Sequence, residues 1–295
     1  MRKSPRVIPG FGLSLGYTVT YLSLVVLIPL ATLFAKSAQI GWSGVWETVT
    51  SPYVLGAYRM SLGSSLVAAF ANVFIGLLVA WVLGRYAFPG KRLVDALVDL
   101  PFALPTAVAG IALTTLYSER GWVGAWLKKV GFRYPWPEWR GFGGGHWFPL
   151  ELRTYADVAM APLGVTLALM FVTLPFVVRT VQPIIEDMGR DTEEAAASLG
   201  ANRRQTVWRI VLPQLWPALV TGFALAFARA LGEYGSVIFI TGNRPGMAIA
   251  PQEVISRLEQ YRYEEAAAIA AVLLVISFVL LLVINVLQRK MGAGR

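Results

Sequence analysis

Six long stretches without a charged residue divide this sequence, and they constrain its fold more than any other feature. They run over residues 7–35, 60–84, 100–118, 158–178, 210–228 and 266–288, and are 29, 25, 19, 21, 19 and 23 residues long. A helix needs about 20 residues to cross the hydrocarbon core of a bilayer, so every stretch has a suitable length. Backbone groups in lipid must be satisfied within the chain, and the alternating pattern of a barrel strand is absent. The sequence therefore predicts an all-α, polytopic bundle of six transmembrane helices.

The overall composition agrees with a membrane protein. Of the 295 residues, 56% are apolar and only 15% are charged, whereas about a quarter of the residues of a soluble domain are charged. The first stretch is longer than the roughly 7 to 15 apolar residues of a signal peptide, so we interpret it as an anchor that is retained. The fifth stretch is expected to continue as a helix past Arg229 and Glu233 to Ile240.

Several classes of function are excluded by what the chain lacks. It has no cysteine, which excludes disulfides, thiolate metal ligands and cysteine nucleophiles. The single histidine, His146, lacks the partner ligands of a zinc site, and we expect it to be a solvated loop residue. The spacing of Gly84 and Gly90 is one residue too long for a phosphate-binding loop, and Arg92 stands where that loop has Ser or Thr. We therefore predict no catalytic residue, no metal and no cofactor.

The distribution of positive charge predicts the orientation in the membrane. With an odd number of spans between them, the two termini and the loops at 85–92 and 179–209 share one side and carry 14 Lys and Arg residues, against 11 on the opposite side. The segment 118–154 belongs to the opposite side and is rich in tryptophan, which is typical of membrane interfaces. We predict that both termini and the loop at 179–213 are cytoplasmic and that 118–154 is periplasmic. The net charge is +9, but the positive residues lie between apolar blocks and not on one soluble face. We therefore predict no nucleic-acid binding.

The loop between the fourth and fifth stretches contains the most informative motif. Asp191, with Glu194 three residues later, predicts a capping box at the start of a helix. The alanines at 195–197 favour a helix, and Gly200 suits the left-handed turn that ends one. We expect a short helix here, followed by a second amphipathic stretch at 203–211. By these local signals alone, a stable surface helix without a docking role is an open alternative.

The spacing of this loop resembles the EAA loop of the permease subunits of ABC importers. That resemblance implies a type I importer permease of the MetI-like fold in the bacterial inner membrane, whose short helix docks in a groove of a separate ATP-binding subunit. ATP hydrolysis would then reside on that partner, and this chain would be no enzyme. The ATPase-coupling residues that the resemblance implies are Glu194, Ala195, Ala196, Gly200, Ile210, Leu212 and Pro213.

The resemblance extends along nearly the whole chain and becomes more specific. The segments 9–16, 85–90, 99–110, 178–183 and 231–243 are similar to the T-type permease subunits of sulfate/thiosulfate importers. The partners this implies are two copies of an ABC ATP-binding subunit, a second homologous permease subunit, a periplasmic sulfate-binding protein and membrane lipid.

Two alternative functions and one departure from the family stand beside this interpretation. A molybdate or tungstate permease is the nearest alternative. A secondary anion transporter is another, although Asp and Glu are absent from the middle of four of the six spans. The segment 131–154 departs from the family pattern and resembles an insertion.

This resemblance also divides the chain into parts. Residues 1–57 are expected to form a cytoplasmic tail, the first span and a periplasmic loop. Residues 58–288 form the core permease domain with five spans, including the periplasmic loop 118–154 and the coupling loop 190–213. Residues 289–295 form a basic cytoplasmic tail.

Polar residues inside the predicted spans are the candidates for the translocation pathway. Arg229 and Glu233 are spaced i, i+4 and can pair on one helix face. Such a pair either helps to attract an oxyanion or is purely structural, and we favour the structural role because a tight cationic site would trap the anion. Pro101 and Pro105 are expected to interrupt the third span next to small residues such as Thr106, either as part of a gate or as a plain kink.

Overall fold

The structure, a computed structural model, describes residues 10–118, 120–129, 162–189, 191–242 and 248–292, and all regular secondary structure in these ranges is helical. The predicted insertion 131–154, His146 and three tryptophans of the 118–154 segment lie outside the described residues. The helices are α1 (Phe11–Ala38, with a π turn at Ser23–Leu27), α2 (Gly41–Thr50), α3 (Pro52–Arg85), α4 (Lys91–Ala103), α5 (Thr106–Tyr117), α6 (Trp122–Lys129), α7 (Pro162–Asp187), α8 (Asp191–Ser198), α9 (Arg203–Leu231, with a π turn at Val207–Val211), α10 (Gly235–Thr241), α11 (Ala250–Glu259) and α12 (Tyr263–Gly292).

Five described helices are long and apolar enough to cross a membrane, namely α1, α3, α7, α9 and α12. A sixth span is obtained when α4 and the sharply bent helical segment that begins with α5 are counted as one broken crossing. Two predicted domain boundaries fall inside helices. α3 begins at Pro52, before the boundary at 57, and α12 continues to Gly292, past the boundary at 288.

The break in the third span lies at one of its two prolines. α4 continues through Pro101 and ends at Ala103, after which Leu104 adopts an extended conformation with ψ of 134°. A residue before proline is sterically excluded from the α region, so Pro105 forces Leu104 out of the helix. The prediction that Pro101 also interrupts the span is wrong, because the helix accommodates it.

The fifth span ends earlier than predicted. α9 stops at Leu231, and the chain leaves the helical conformation at Gly232, Glu233 and Tyr234 before α10 begins at Gly235. The expectation of one continuous helix to Ile240 is therefore wrong. The side chain of Glu233 accepts a hydrogen bond from the backbone N–H of Ser236 at 2.9 Å, and this contact satisfies an orphan donor at the new helix start.

The helix α7 lies at the centre of the bundle. Of the 18 most apolar consecutive residues of α7, 61% are buried, whereas none of the corresponding residues of α1 is buried. Val177 and Val181 of α7 pack with Leu83 of α3 and with Leu215 and Leu219 of α9 in one buried cluster. The helices α3, α7 and α9 therefore form the densely packed centre of the described bundle.

Candidate functional site: the 189–213 segment and the polar groups of the bundle

The short helix predicted after the fourth span is present as α8. Its first turn contains the carboxylates of Asp191, Glu193 and Glu194, which are favourable near the positive end of a helix dipole. Asp191 is the first helical residue rather than the residue before the helix, so the predicted cap at Asp191 is wrong. A capping box does occur at the start of α9. There Asn202 Oδ1 accepts from the N–H of Gln205, and Gln205 Oε1 accepts from the N–H of Asn202, each at 2.9 Å.

The end of α8 is set by Gly200. Its φ of +82° lies in the left-handed region, where a side chain would be strained. The N–H of Ala201 donates to the carbonyl of Ala196 and the N–H of Gly200 to that of Ala197, both at 3.0 Å. These two bonds form a Schellman motif, which reverses the chain and leads it into α9.

The residues of the EAA pattern divide between two sides of α8. Glu194 and Ala195 are exposed, and so is Leu199, whose side chain is 88% exposed. Ala196 is only 6% exposed and faces the bundle. A side chain added at Gly200 would meet no atom within 4 Å. Hence Glu194, Ala195 and Gly200 offer a free surface, whereas Ala196 belongs to the internal packing of this chain.

The second half of the pattern lies in α9 and is tied to the core. Ile210, Leu212 and Pro213 are partly buried, and Val211 between them is 2% exposed within the central cluster. The structure thus brings the exposed half and the anchored half of the motif together across the turn at Gly200.

An arginine that the sequence reasoning did not single out fixes the beginning of α8. Arg85 Nη2 donates to Glu193 Oε1 and Nη1 donates to the carbonyl of Gly189, both at 2.6 Å. The guanidinium carbon also lies 5.2 Å from the ring centroid of Trp81. The sequence contains one feature that could have identified Arg85. This positive residue directly follows a charge-free stretch, on the same predicted side of the membrane as the 179–213 loop.

A second ion cluster joins the bent span to the central helix. Arg179 of α7 donates from Nε and Nη2 to the two carboxylate oxygens of Asp99, at 2.8 and 2.6 Å, and from Nη1 to Asp95 Oδ1 at 2.7 Å. Bidentate pairing of this type is strong and directional. The sequence reasoning missed this cluster, although Asp99 and Arg179 each border a charge-free stretch at the same predicted face.

The predicted intramembrane partners Arg229 and Glu233 are in contact. Arg229 Nη1 lies 2.6 Å from Glu233 Oε2, and the two side chains are 35% and 2% exposed. Glu233 Oε1 additionally accepts from Ser236 N and Oγ at 2.9 and 3.0 Å. The carboxylate is therefore buried and fully engaged, whereas the guanidinium is partly accessible.

The two breaks in the bundle meet each other. A Cβ added at Gly235 would clash with Thr106 Oγ1, and one added at Gly110 would clash with the carbonyl oxygen of Ser236. The helices α5 and α10 consequently touch backbone to backbone, as small residues permit. Sequence reasoning treated Pro105 with Thr106 and Glu233 with Arg229 as separate candidates, and only the fold brings them together.

Next to this junction lies an apolar cavity of about 440 Å³. Its lining includes Leu231, Gly232, Tyr234 and Leu273, and none of the described residues that line it is charged. An apolar, uncharged lining offers an anion no balancing charge. Within the described ranges, no group of three or more His, Asp or Glu residues is placed to hold a metal ion.

The described helices fit a multi-pass membrane protein with a short exposed helix, α8, between two of its spans. Residues 72–293 match the family model described as binding-protein-dependent transport system inner membrane component. The chain belongs to this family. It is accordingly a multi-pass inner-membrane transport subunit, not an enzyme, and it works with a binding protein and with an ATPase in a separate subunit.

Particular relatives narrow the comparison. The chain is 45% identical over 292 residues to the sulfate transport system permease protein CysT of Escherichia coli strain K12, with 98% of this chain and 96% of that protein covered. It is 47% identical over 272 residues to a probable sulfate transport system permease protein cysT of Nephroselmis olivacea, with 92% and 87% covered.

Two solved structures share the fold at low identity. A bacterial ABC transporter involved in the import of the acidic polysaccharide alginate matches with a TM-score of 0.69 at 16% identity, covering 95% of each chain. An inward-facing form of the MetNI methionine ABC transporter matches with a TM-score of 0.52 at 18% identity, covering 82% of this chain and 96% of that one. These similarities agree with the predicted MetI-like architecture.

Proposed function

We propose that this chain is a permease subunit that forms the pathway of an ATP-driven importer for sulfate or thiosulfate. The observation that carries the substrate is the 45% identity to a sulfate permease over 98% of the chain. The assembly would contain a second homologous permease, two copies of the ATPase subunit and a periplasmic sulfate-binding protein.

The coupling role is assigned to the exposed surface of α8. Glu194, Ala195 and Gly200 face away from the bundle, together with the apolar side chain of Leu199, which is 88% exposed. A low-profile helix with one exposed leucine suits a groove in a partner, because small side chains allow close backbone approach. The buried Ala196 and the partly buried Ile210, Leu212 and Pro213 would carry the displacement into α9.

Both termini are proposed to be cytoplasmic. The pairs Arg85 with Glu193 and Arg179 with Asp99 support a common face for the ends of α3 and α7 and for α4 and α8. α9 leads away from this face for 29 residues, or about 43 Å. α10 follows the far end of α9, and α5 is in contact with α10 there. This contact supports a complete crossing of the membrane by the α4–α5 pair, and hence an even number of spans.

For the pathway, the geometry favours a structural role for Arg229 and Glu233. The charge of Arg229 is largely balanced by a carboxylate at 2.6 Å, so it would not trap a divalent anion. The break at Leu104 and Pro105, directly before Thr106, adjoins the break at 232–234, and this junction is the proposed moving part of the pathway. Pro101 would serve only the shape of α4.

The test is reconstitution with the three partner proteins in liposomes that contain ATP. We expect uptake of radiolabelled sulfate that requires ATP and the binding protein and that thiosulfate inhibits in competition. Preferential uptake of molybdate would assign the alternative substrate. Uptake that an ion gradient drives without ATP would refute the importer and support a secondary transporter.

A further inference from the structure

We infer that Arg85 is a positioning residue that transmits the movement of α8 to α3, and through α3 to the helices at the opposite face of the membrane. This inference rests on the proposed coupling role of α8. Arg85 is the last residue of α3 and its side chain is 11% exposed. It therefore lies between the exposed docking helix and the buried bundle.

The contacts of Arg85 restrain α8 at two points. One amino group of the guanidinium holds the carbonyl of Gly189, just before α8, and the other holds the carboxylate of Glu193 in its first turn. A planar fork with two donors can hold both partners at once, whereas the single ammonium of lysine cannot reproduce that geometry. Ala196 is the buried residue of α8 and provides its apolar contact with the bundle. Arg85 provides the polar contacts that attach the same helix.

The helix α3 is suited to carry a displacement. Its 34 residues form one helix, about 51 Å long. Asn72 Nδ2 donates to the carbonyl of Met170 and to Thr173 Oγ1 of α7, each at 2.9 Å. A Cβ added at Gly76 would lie 2.8 Å from Val177. Such close packing means that α3 and α7 move together.

The far end of α3 is bonded to other helices. Ser61 Oγ accepts from the N–H of Ala250, the first residue of α11, at 2.8 Å. The hydroxyl of Tyr58 donates to the carbonyl of Ile269 in α12, also at 2.8 Å. A pull on Arg85 would therefore reach α11 and α12 without passing through α9. This route is separate from the direct one through the turn at Gly200.

The experiment uses the complete reconstituted transporter and measures ATP hydrolysis and radiolabelled sulfate uptake in one preparation. We expect Arg85→Gln to lower the uptake per ATP hydrolysed by about fivefold or more, a typical size for coupling between sites. Arg85→Lys and Glu193→Gln should lower it less, because each keeps one contact. The exposed Arg92 of α4 provides the matched control, and Arg92→Gln should leave the ratio unchanged.

A double variant separates transmission from a general loss of structure. If Arg85 acts through Glu193, then Arg85→Gln combined with Glu193→Gln should be no worse than Arg85→Gln alone. The ratio is taken per ATP, so a lower amount of assembled transporter does not change it. If Arg85→Gln assembles poorly, the milder Arg85→Lys and Glu193→Gln variants decide by the same ratio.

Two outcomes would overturn different statements. If Ala195→Trp on the exposed face of α8 uncouples transport while all Arg85 and Glu193 variants keep the normal ratio, the inference fails and the proposed function stands. If neither Ala195→Trp nor the Arg85 variants change uptake or hydrolysis, the coupling role of α8 fails as well.

Discussion

The charge pair of Arg229 and Glu233 provides a sharp test because its two members differ in environment. Glu233 is 2% exposed and Arg229 is 35% exposed. Replacing Arg229 by methionine leaves a buried carboxylate with only the N–H and hydroxyl of Ser236 as partners. Removal of one member of a buried pair costs about 3–5 kcal/mol. We therefore expect Arg229→Met to be strongly destabilising.

The reverse change should be milder. In Glu233→Gln the amide oxygen still accepts from Ser236, and the residue left unpaired is Arg229, the more accessible of the two at 35% exposed. The loss of a charge-assisted bond at such a site is worth about 1.5–3 kcal/mol. Combining both changes removes the uncompensated charge. The double variant should therefore be more stable than Arg229→Met, which requires the coupling to exceed the cost of Glu233→Gln alone and so to reach about 3 kcal/mol, the upper end for residues in contact.

The free energy of unfolding would be measured for the four proteins by titration into sodium dodecyl sulfate, with sulfate uptake measured in parallel. The predicted order of stability is wild type, Glu233→Gln, the double variant and then Arg229→Met. A Glu233→Gln protein as unstable as Arg229→Met would refute the asymmetry. A stable double variant that has lost uptake would instead assign Arg229 a direct role toward the anion.

Three further predictions concern orientation, docking and the contact between the two breaks. Since the chain has no cysteine, single cysteines can be placed at Gly200 and Gly144 as probes. The first should react with an impermeant reagent from the cytoplasm and the second from the periplasm. Labelling of both from one side would contradict the six-span topology. Gly200→Trp should reduce uptake at normal membrane abundance by blocking docking, and Gly200→Ala is the control because it shares the φ strain. Equal effects of Trp and Ala at Gly200 would argue against docking. A bulky residue at Ala196 should instead lower the stability of the chain itself. Gly110→Leu should separate α5 from α10 and destabilise the protein by about 1–3 kcal/mol in the same detergent titration, and a neutral result would show that the two helices are not in backbone contact.

Some differences between prediction and structure have a common cause, namely the reach of local signals. The helix of the coupling loop and its end at Gly200 follow from residues within a few positions of each other, and both are present. The start of the helix was misassigned by one residue, because acidic residues near a helix start favour both the cap and the first turn. The break at Glu233 was missed although its partners Arg229 and Ser236 lie within four positions of it, because the i, i+4 spacing of Arg229 and Glu233 is also typical of a continuous helix.

The sequence by itself determined the membrane class, the approximate spans and the coupling motif, because span length, charge distribution and turn residues are local properties that need no tertiary contact. Only the tertiary structure decided which charges distant in sequence meet. Arg179 reaches Asp99 across 80 positions and Arg85 reaches Glu193 across 108. It also decided that Ala196 faces inward while Leu199 faces outward. Which distant charges pair, and which side of α8 is buried, depend on how helices distant in sequence pack. No spacing within a single helix specifies that packing.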